Sequence, residues 1–252
     1  MSHTNHIACG PGDVGRYVLM PGDPGRCETI ASHLQGATLV AQNREFTTFT
    51  GTLRGVKVSV TSTGIGCPST AIAVEELAEI GADTFIRVGT CGGMQADIPL
   101  GSLLVATAAV RDEGTSIQYI PLAYPAVADL EVTNALIEAA RRDPAYYGAG
   151  ITQSKDSFYG QQQPERMPAC EELLQRWKAW KKGGVLCSEM ESAALFVVAS
   201  ILGKRAGTIL MVAGNQERSP REQVLDEEKG YSLETMIKAA VSAIELLIQK
   251  DR

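Results

Sequence analysis

The stretch LCSEMESAALF, Leu186 to Phe196, sets Glu189 and Glu191 either side of Met190, next to residues apolar enough to be core. Two chemistries fit. Ser188-x-x-Glu191 matches a capping box, in which the serine oxygen accepts from a free backbone N–H and the glutamate reaches back to the cap, leaving Glu189 to complement the helix dipole. Alternatively, a carboxylate against an apolar wall suits a ligand with neighbouring hydroxyls, because its two oxygens can accept two hydrogen bonds. The second chemistry-bearing set is cationic. In IRVGTCGG (Ile86 to Gly93) Arg87 sits inside an apolar run, where an arginine is rarely buried unless it is paired or faces a ligand. The loop expected after it, Gly89 to Gly93, permits close backbone approach and supplies the Thr90 hydroxyl, a setting suited to phosphate. The competing partner for Arg87 is an internal carboxylate, Glu191 among them. MPGDPGR (Met20 to Arg26) can turn backbone N–H groups inward beside Arg26, again suited to phosphate, although the same residues also make a plain Pro-Gly turn.

Other chemistries have little to draw on. STGIGCPS (Ser62 to Ser69) imitates a dinucleotide fingerprint with Gly64 and Gly66, but Ser69 takes the third glycine position and no acidic residue ends the next strand. A nicotinamide cofactor is therefore not expected. Three histidines (His3, His6 and His33) offer little for a metal site or a Ser-His-Asp triad. Six scattered cysteines form no C-x-x-C pair, so reduced thiols are expected rather than a disulfide framework. A net charge of -6 argues against a nucleic-acid surface. The start of the chain has neither a basic region nor an apolar one of signal type, and no run approaches a membrane span, so a cytoplasmic protein is expected.

Apolar runs and punctuators predict the elements that must hold these residues. Strands are expected at Arg16–Met20, Val56–Ser62, Thr84–Gly89, Ser102–Val110 and Ala206–Gly214, all short, β-branched and bounded by glycine or polar residues. Helices are expected at Pro68–Ile80, Leu130–Arg142, Cys170–Lys182, Ser188–Leu202 and Ser232–Gln249. Strands alternating with helices, with no linker between them, predict one α/β domain spanning 1–252. Ligands in such folds collect at the carboxyl ends of strands, where these motifs lie.

The ordered set MPGDPGR, NREFTTFTG, STGIGCPSTAIAVEELAEIGADTFIRVGTCGG, PLAYPAVAD, KDSFYG and SEMESAALF resembles the nucleoside phosphorylase-I family, on its uridine-cleaving side. The resemblance covers nearly the whole chain. It implies a three-layer α/β/α fold with a mixed, partly closed central sheet, and a homohexamer of three dimers whose sites are completed across the dimer interface. The implied reaction is reversible phosphorolysis of uridine to uracil and ribose 1-phosphate, with phosphate as co-substrate and no required cofactor. By resemblance, phosphate would lie against Gly22, Arg26, Arg87 and Thr90, with Arg44 entering from the neighbouring subunit. Glu191 would hold the ribose hydroxyls while Met190 packs on the sugar, Glu189 would support them, and His6 of the neighbour would reach the 5′ hydroxyl. Phe158, Gly92, Gln161 or Gln162, and Arg166 would face the base; catalysis would rest on Arg87, Glu191 and Arg166. A K+ site at the dimer interface would correspond to Glu45, Ile65 and Ser69. Two departures stand out. The base-reading segment runs QQQPER, leaving the glutamine open, with Gln161 and Arg166 preferred. Gly214 stands where uridine-cleaving relatives have an arginine and purine-cleaving ones an aspartate, with Asn215 or Arg218 as conceivable substitutes. A purine or broad-specificity phosphorylase, a hydrolytic nucleosidase and a non-catalytic nucleoside-binding protein are the alternatives; three phosphate-suited arginines disfavour the hydrolase.

Overall fold

The first apolar run, Tyr17–Met20, is a strand (β1) whose side chains divide between two faces: Tyr17 and Leu19 enter one core cluster, Val18 and Met20 another. That division organises the computed structural model, which describes residues 3–218 and 233–252. After β1 come α1 (Cys27–Ala31), β2 (Gln35–Asn43), β3 (Phe46–Leu53), β4 (Val56–Thr61), α2 (Cys67–Glu79), β5 (Thr84–Gly93) and β6 (Leu103–Asp112). The chain continues through β7 (Ala126–Val127), α3 (Leu130–Ala140), β8 (Tyr146–Lys155), α4 (Phe158–Gln162), α5 (Cys170–Lys182), β9 (Cys187–Glu189), α6 (Ser192–Ile201), β10 (Arg205–Asn215) and α7 (Glu234–Lys250).

Helices α1, α3 and α7 pack on the Tyr17/Leu19 face, and α2 and α6 on the other. The α7 stripe of Met236, Ile237, Ile244, Leu247 and Ile248 is buried throughout, each side chain worth about 1.5–3 kcal/mol against exposure. The sheet is mixed and partly closed, as expected. Strands β5, β10, β6, β8 and β9 pair in a ring, β9 returning to β5, while β1, β4, β3 and β2 extend from β5 as an open arm. Cys91, Leu104, Cys187, Leu210 and Val212 form a third cluster from the ring strands. No helix among the described residues is long and apolar enough to cross a membrane.

Three differences from the expected elements bear on the site. The run Gly89–Gly93 is not a loop: β5 continues to Gly93, paired with β10 as far as Asn215 and with β9 at Gly92 and Gly93. Cys91 is accordingly a buried strand residue rather than a loop residue. The helix expected from Ser188 begins only at Ser192, because Ser188 is held extended in β9 between β5 and β8. The hairpin β2–β3 and strand β8 carry too many threonines, glycines and exposed positions to stand out as apolar runs. Of the expected last helix, Ser232 lies outside the described residues.

Gly15 shows how closely β1 approaches β4. Its N–H donates to Ser59 Oγ at 2.9 Å, and a Cβ there would stand 2.1 Å from the Lys57 carbonyl oxygen. Backbone atoms cannot swing aside, so Gly15→Ala is expected to cost at least about 3 kcal/mol. A lowered urea midpoint at unchanged m is the readout.

Candidate active site

Arg87 shares its face of β5 with Phe85, which packs among α2 and α6, so its side chain runs towards the starts of those helices. It is buried. Its Nε donates to Glu189 Oε2 at 2.9 Å, and its Nη2 pairs with Glu191 Oε2 at 2.5 Å. Both chemistries read from the sequence therefore meet, with the roles redistributed. Glu189, its side chain wholly enclosed, accepts from Ser154 Oγ (2.5 Å) and from the backbone N–H groups of Glu191 (2.9 Å) and Ser192 (3.0 Å). The Glu189 carboxylate, not Ser188, takes the first N–H groups of α6, whose N-cap residue is Glu191. Glu191 gives its other oxygen to the Gly66 N–H at 2.6 Å, at the start of α2.

The electrostatics follow from this enclosure. Burial alone would lower the Arg87 pKa, but Glu191 and Glu189 outweigh it and hold the guanidinium charged. Burial pushes the Glu191 carboxyl above its usual range, Arg87 pulling it down and Glu189 adding a like charge. Lys155, buried at the end of β8, has its pKa lowered by desolvation, offset in part by the same two carboxylates.

A cavity of about 830 Å³ opens at the carboxyl ends of β1, β4, β5, β8, β9 and β10. It brings together Gly22, Arg26, Arg87 and Thr90 of the expected phosphate set with Glu189, Met190 and Glu191 of the ribose set. Gly92, Phe158, Gln161 and Gln162 of the base set line it as well. A Cβ on Gly22 would lie 3.9 Å from Arg87 Nη1, so the third guanidinium nitrogen faces the MPGDPGR turn. In that turn Asp23 accepts from the Gly25 N–H at 2.8 Å and lies 3.8 Å from Arg26 Nε. The glycines of β5 serve close approach: a Cβ on Gly89 would stand 2.8 Å from the Arg87 Cζ, and one on Gly93 2.6 Å from Asn215 Nδ2.

Three expected residues lie away from the cavity in the single chain. His6 pairs through Nδ1 with Glu76 at 2.6 Å. Arg44 is exposed at the tip of the β2–β3 hairpin with a φ of 53°. Arg166 is exposed and donates to Gln163 Oε1, for the QQQPER segment turns away after α4. Of the cation set, Glu45 and Ile65 line the cavity, while Ser69 lies behind Gly64 with its Oγ 3.3 Å from the Ile65 carbonyl. Asn215 lines the cavity but is buried, its Nδ2 donating to the Gln95 and Ile98 carbonyls and its Oδ1 accepting from the Glu217 N–H. Arg218 donates to the Ala96 carbonyl at 3.1 Å. Among the described residues no cluster of histidine, cysteine and carboxylate side chains forms a metal site.

A sequence profile of the phosphorylase superfamily matches residues 16–249. The chain belongs to that superfamily. It is 51% identical to a uridine phosphorylase of Treponema pallidum (strain Nichols) over 98% of this chain and 95% of that one. It is 54% identical to a uridine phosphorylase of Thermococcus kodakarensis over 84% of this chain and 77% of that one. A guanosine phosphorylase of Halorubrum lacusprofundi is 38% identical over 98% of this chain and 100% of that one.

This superfamily member also places Lys155, Trp177 and Gln216 on the cavity wall, residues that the sequence reading passes over. Lys155 closes a strand too polar to register as one, and Trp177 sits on the amphipathic helix α5. Gln216 lies past the expected end of β10 and bonds the Gln162 side chain.

The two glutamates should separate in stability. Glu189→Ala leaves Arg87 Nε and the first N–H groups of α6 without their acceptor, an expected loss of about 3–5 kcal/mol. Glu191→Gln leaves one acceptor for two donors, Arg87 Nη2 and the Gly66 N–H, and should cost about 1–3 kcal/mol, less than Glu189→Ala. Because the folded-state pKa of Glu191 lies above its ordinary 4.5, the native wild type binds this proton more tightly than the unfolded chain. Wild-type stability thus falls, relative to Glu191→Gln, as pH rises from the ordinary value through the raised one, and a urea-unfolding series run upward in pH from the ordinary value measures the change.

Proposed function

We propose that this chain catalyses reversible, phosphate-dependent cleavage of uridine to uracil and ribose 1-phosphate, acting in pyrimidine nucleoside salvage or catabolism in the cytoplasm. The observation that carries the proposal is the direct contact of Arg87 with Glu191 on one wall of the cavity. It puts an anion-binding cation beside a carboxylate suited to a sugar diol, in a chain half identical to two uridine phosphorylases.

In this reading Gly22, Arg26, Thr90 and the inner nitrogen of Arg87 hold phosphate, Met190 packs on the sugar, and Glu191 accepts from its 2′ and 3′ hydroxyls. Glycosidic cleavage passes through a transition state with a cationic sugar. A phosphate dianion held under the anomeric carbon is then both nucleophile and electrostatic partner. Arginines bind that dianion without a metal. The base departs as an anion between Phe158, Gln161 and Gln162, where amide donors stabilise its growing charge. Glu189 positions Arg87 and touches no substrate. A second subunit completes the site, bringing Arg44 to phosphate and His6 to the 5′ hydroxyl, in a hexamer of three dimers. Ile65, 78% exposed at the cavity, supports such a cover. The oxygen donors of Glu45, Ile65 and Ser69 suit a K+ ion at that junction.

The test is incubation with uridine or inosine, with and without phosphate. Uracil release that requires phosphate, and exceeds purine release, is the expected result, because Gly214 offers no carboxylic acid to protonate a purine. Turnover without phosphate would make the chain a hydrolase. Glu191→Gln should lower kcat/KM about 10–100-fold, the worth of a charge-assisted hydrogen bond. Arg87→Met should raise the KM for phosphate.

A further inference from the structure

Within the functional reading above, one buried cation has no assigned part. Lys155 ends β8 next to Ser154, whose register partner on β9 is Glu189; the neighbouring pair is Gln153 and Ser188. The lysine Nζ donates to Ser188 Oγ at 2.7 Å, and Ser188 Oγ donates to Gln161 Oε1 at 3.1 Å. Gln161 in turn lines the cavity.

The direction of this chain follows from donor arithmetic. An ammonium donates and cannot accept, so the Ser188 oxygen spends a lone pair on Lys155 and keeps its own proton to give away. The Gln161 atom facing Ser188 must therefore be the carbonyl oxygen, which leaves the NH2 group for another acceptor. Among the described residues that nitrogen has no hydrogen-bond partner, whereas the Gln162 carbonyl oxygen is taken by Gln216.

We propose that Lys155 is a positioning residue: through Ser188 it locks the Gln161 amide with its NH2 group towards a carbonyl oxygen of the uracil ring, and strengthens that donor as the base departs with negative charge. The polarisation runs from cation to hydroxyl to amide, each bond reinforcing the next in a site shielded from water. Burial lowers the pKa of Lys155; the carboxylates facing it are Glu189 beyond β9 and Glu191 at the start of α6, and the other titratable groups there are the thiols of Cys187 on β9 and of Cys91 on β5, the latter held neutral by burial. The two carboxylates favour the ammonium that the chain requires. This also separates the glutamines that the sequence leaves open, assigning the base to Gln161.

The experiment compares uridine with 5-fluorouridine, whose base is the better leaving group, in wild type, Lys155→Met and Ser188→Ala. A chain that stabilises charge on the base should matter less when the base carries that charge more easily. Both variants are expected to lose kcat on uridine by about tenfold or more, with KM for uridine little changed, and to lose several times less on 5-fluorouridine. Equal losses on the two substrates, or a change confined to KM, overturn the inference. If Lys155→Met does not fold, Ser188→Ala decides, since it cuts the chain and leaves the cation in place. Wild-type protein that releases no uracil overturns the uridine reading itself, a result distinct from equal losses in active variants.

Discussion

The site depends on burying one guanidinium between two carboxylates at the meeting point of two helix starts. Arg87, Glu189 and Glu191 are each at most 5% exposed, so none can turn to water for its hydrogen bonds. Taking such ions out of water costs several kcal/mol each, and their attraction repays this only with close geometry and every remaining donor or acceptor used. The fold supplies the geometry and the partners of both carboxylates, and leaves Arg87 Nη1 facing the cavity. Glu189 takes backbone N–H groups at the start of α6, Glu191 takes the one at the start of α2, and each helix end favours the negative charge placed there. The glycines at 89 and 93 follow from the same constraint, because side chains there would collide with Arg87 and with the buried Asn215 that braces the strand ends.

The same cluster governs what the cavity can bind. Arg87 and Lys155 together offset Glu189 and Glu191, so the group is close to neutral before any ligand arrives. A phosphate dianion needs cations beyond that balance. Arg26 is one, held near Asp23 at 3.8 Å, a separation loose enough to be given up. Under the two-subunit proposal Arg44 is the other. Its φ of 53° at an exposed hairpin tip is a conformation that a non-glycine residue adopts at a cost, as segments shaped for contact do. The lining sets Arg26, Arg87 and Lys155 against Asp23, Glu45, Glu189 and Glu191, so under that proposal Arg44 of the second subunit supplies the cation that brings the wall to balance.

Legibility in the sequence varied with how local the determining physics was. Strands buried on both faces stood out as apolar runs, and α2, α3, α5 and α7 stood out by periodicity and end signals. Apart from the carboxyl end of β5, which runs four residues further than expected, their observed limits fall within about two residues of those expected, the usual blur at element ends. The hairpin β2–β3 is edge structure, rich in threonine, and carries no such pattern. The motifs found the centre of the site because arginine in an apolar run and paired carboxylates are costly unless used. What they could not give was which carboxylate does what. Ser188-x-x-Glu191 has the spacing of a capping box, yet tertiary pairing holds Ser188 in a strand and passes the first N–H groups of α6 to the Glu189 carboxylate. Lys155 was illegible for the same reason: a lysine after ITQS looks like a solvated end until β9 lies beside it.

Strand direction explains why these residues converge. β9 runs antiparallel to β5, pairing Cys187 with Gly93 and Ser188 with Gly92, so each further residue of β9 moves back along β5 towards Arg87. Glu189 thereby reaches the guanidinium, and the turn into α6 delivers Glu191 to its other side. A parallel β9 would carry both carboxylates away. β8, parallel to β9, then sets Lys155 one residue past the level of Glu189, beside Ser188 rather than against Arg87, which keeps two like charges apart while each finds an oxygen partner. An open, all-parallel sheet has no place for that return strand. Closing β5, β10, β6, β8 and β9 into a ring is what allows an antiparallel strand to begin at the carboxyl tip of β5 and run back towards Arg87. The ring closure is therefore a condition of the ion cluster, and through it of the cavity wall that Arg87, Glu189 and Glu191 form.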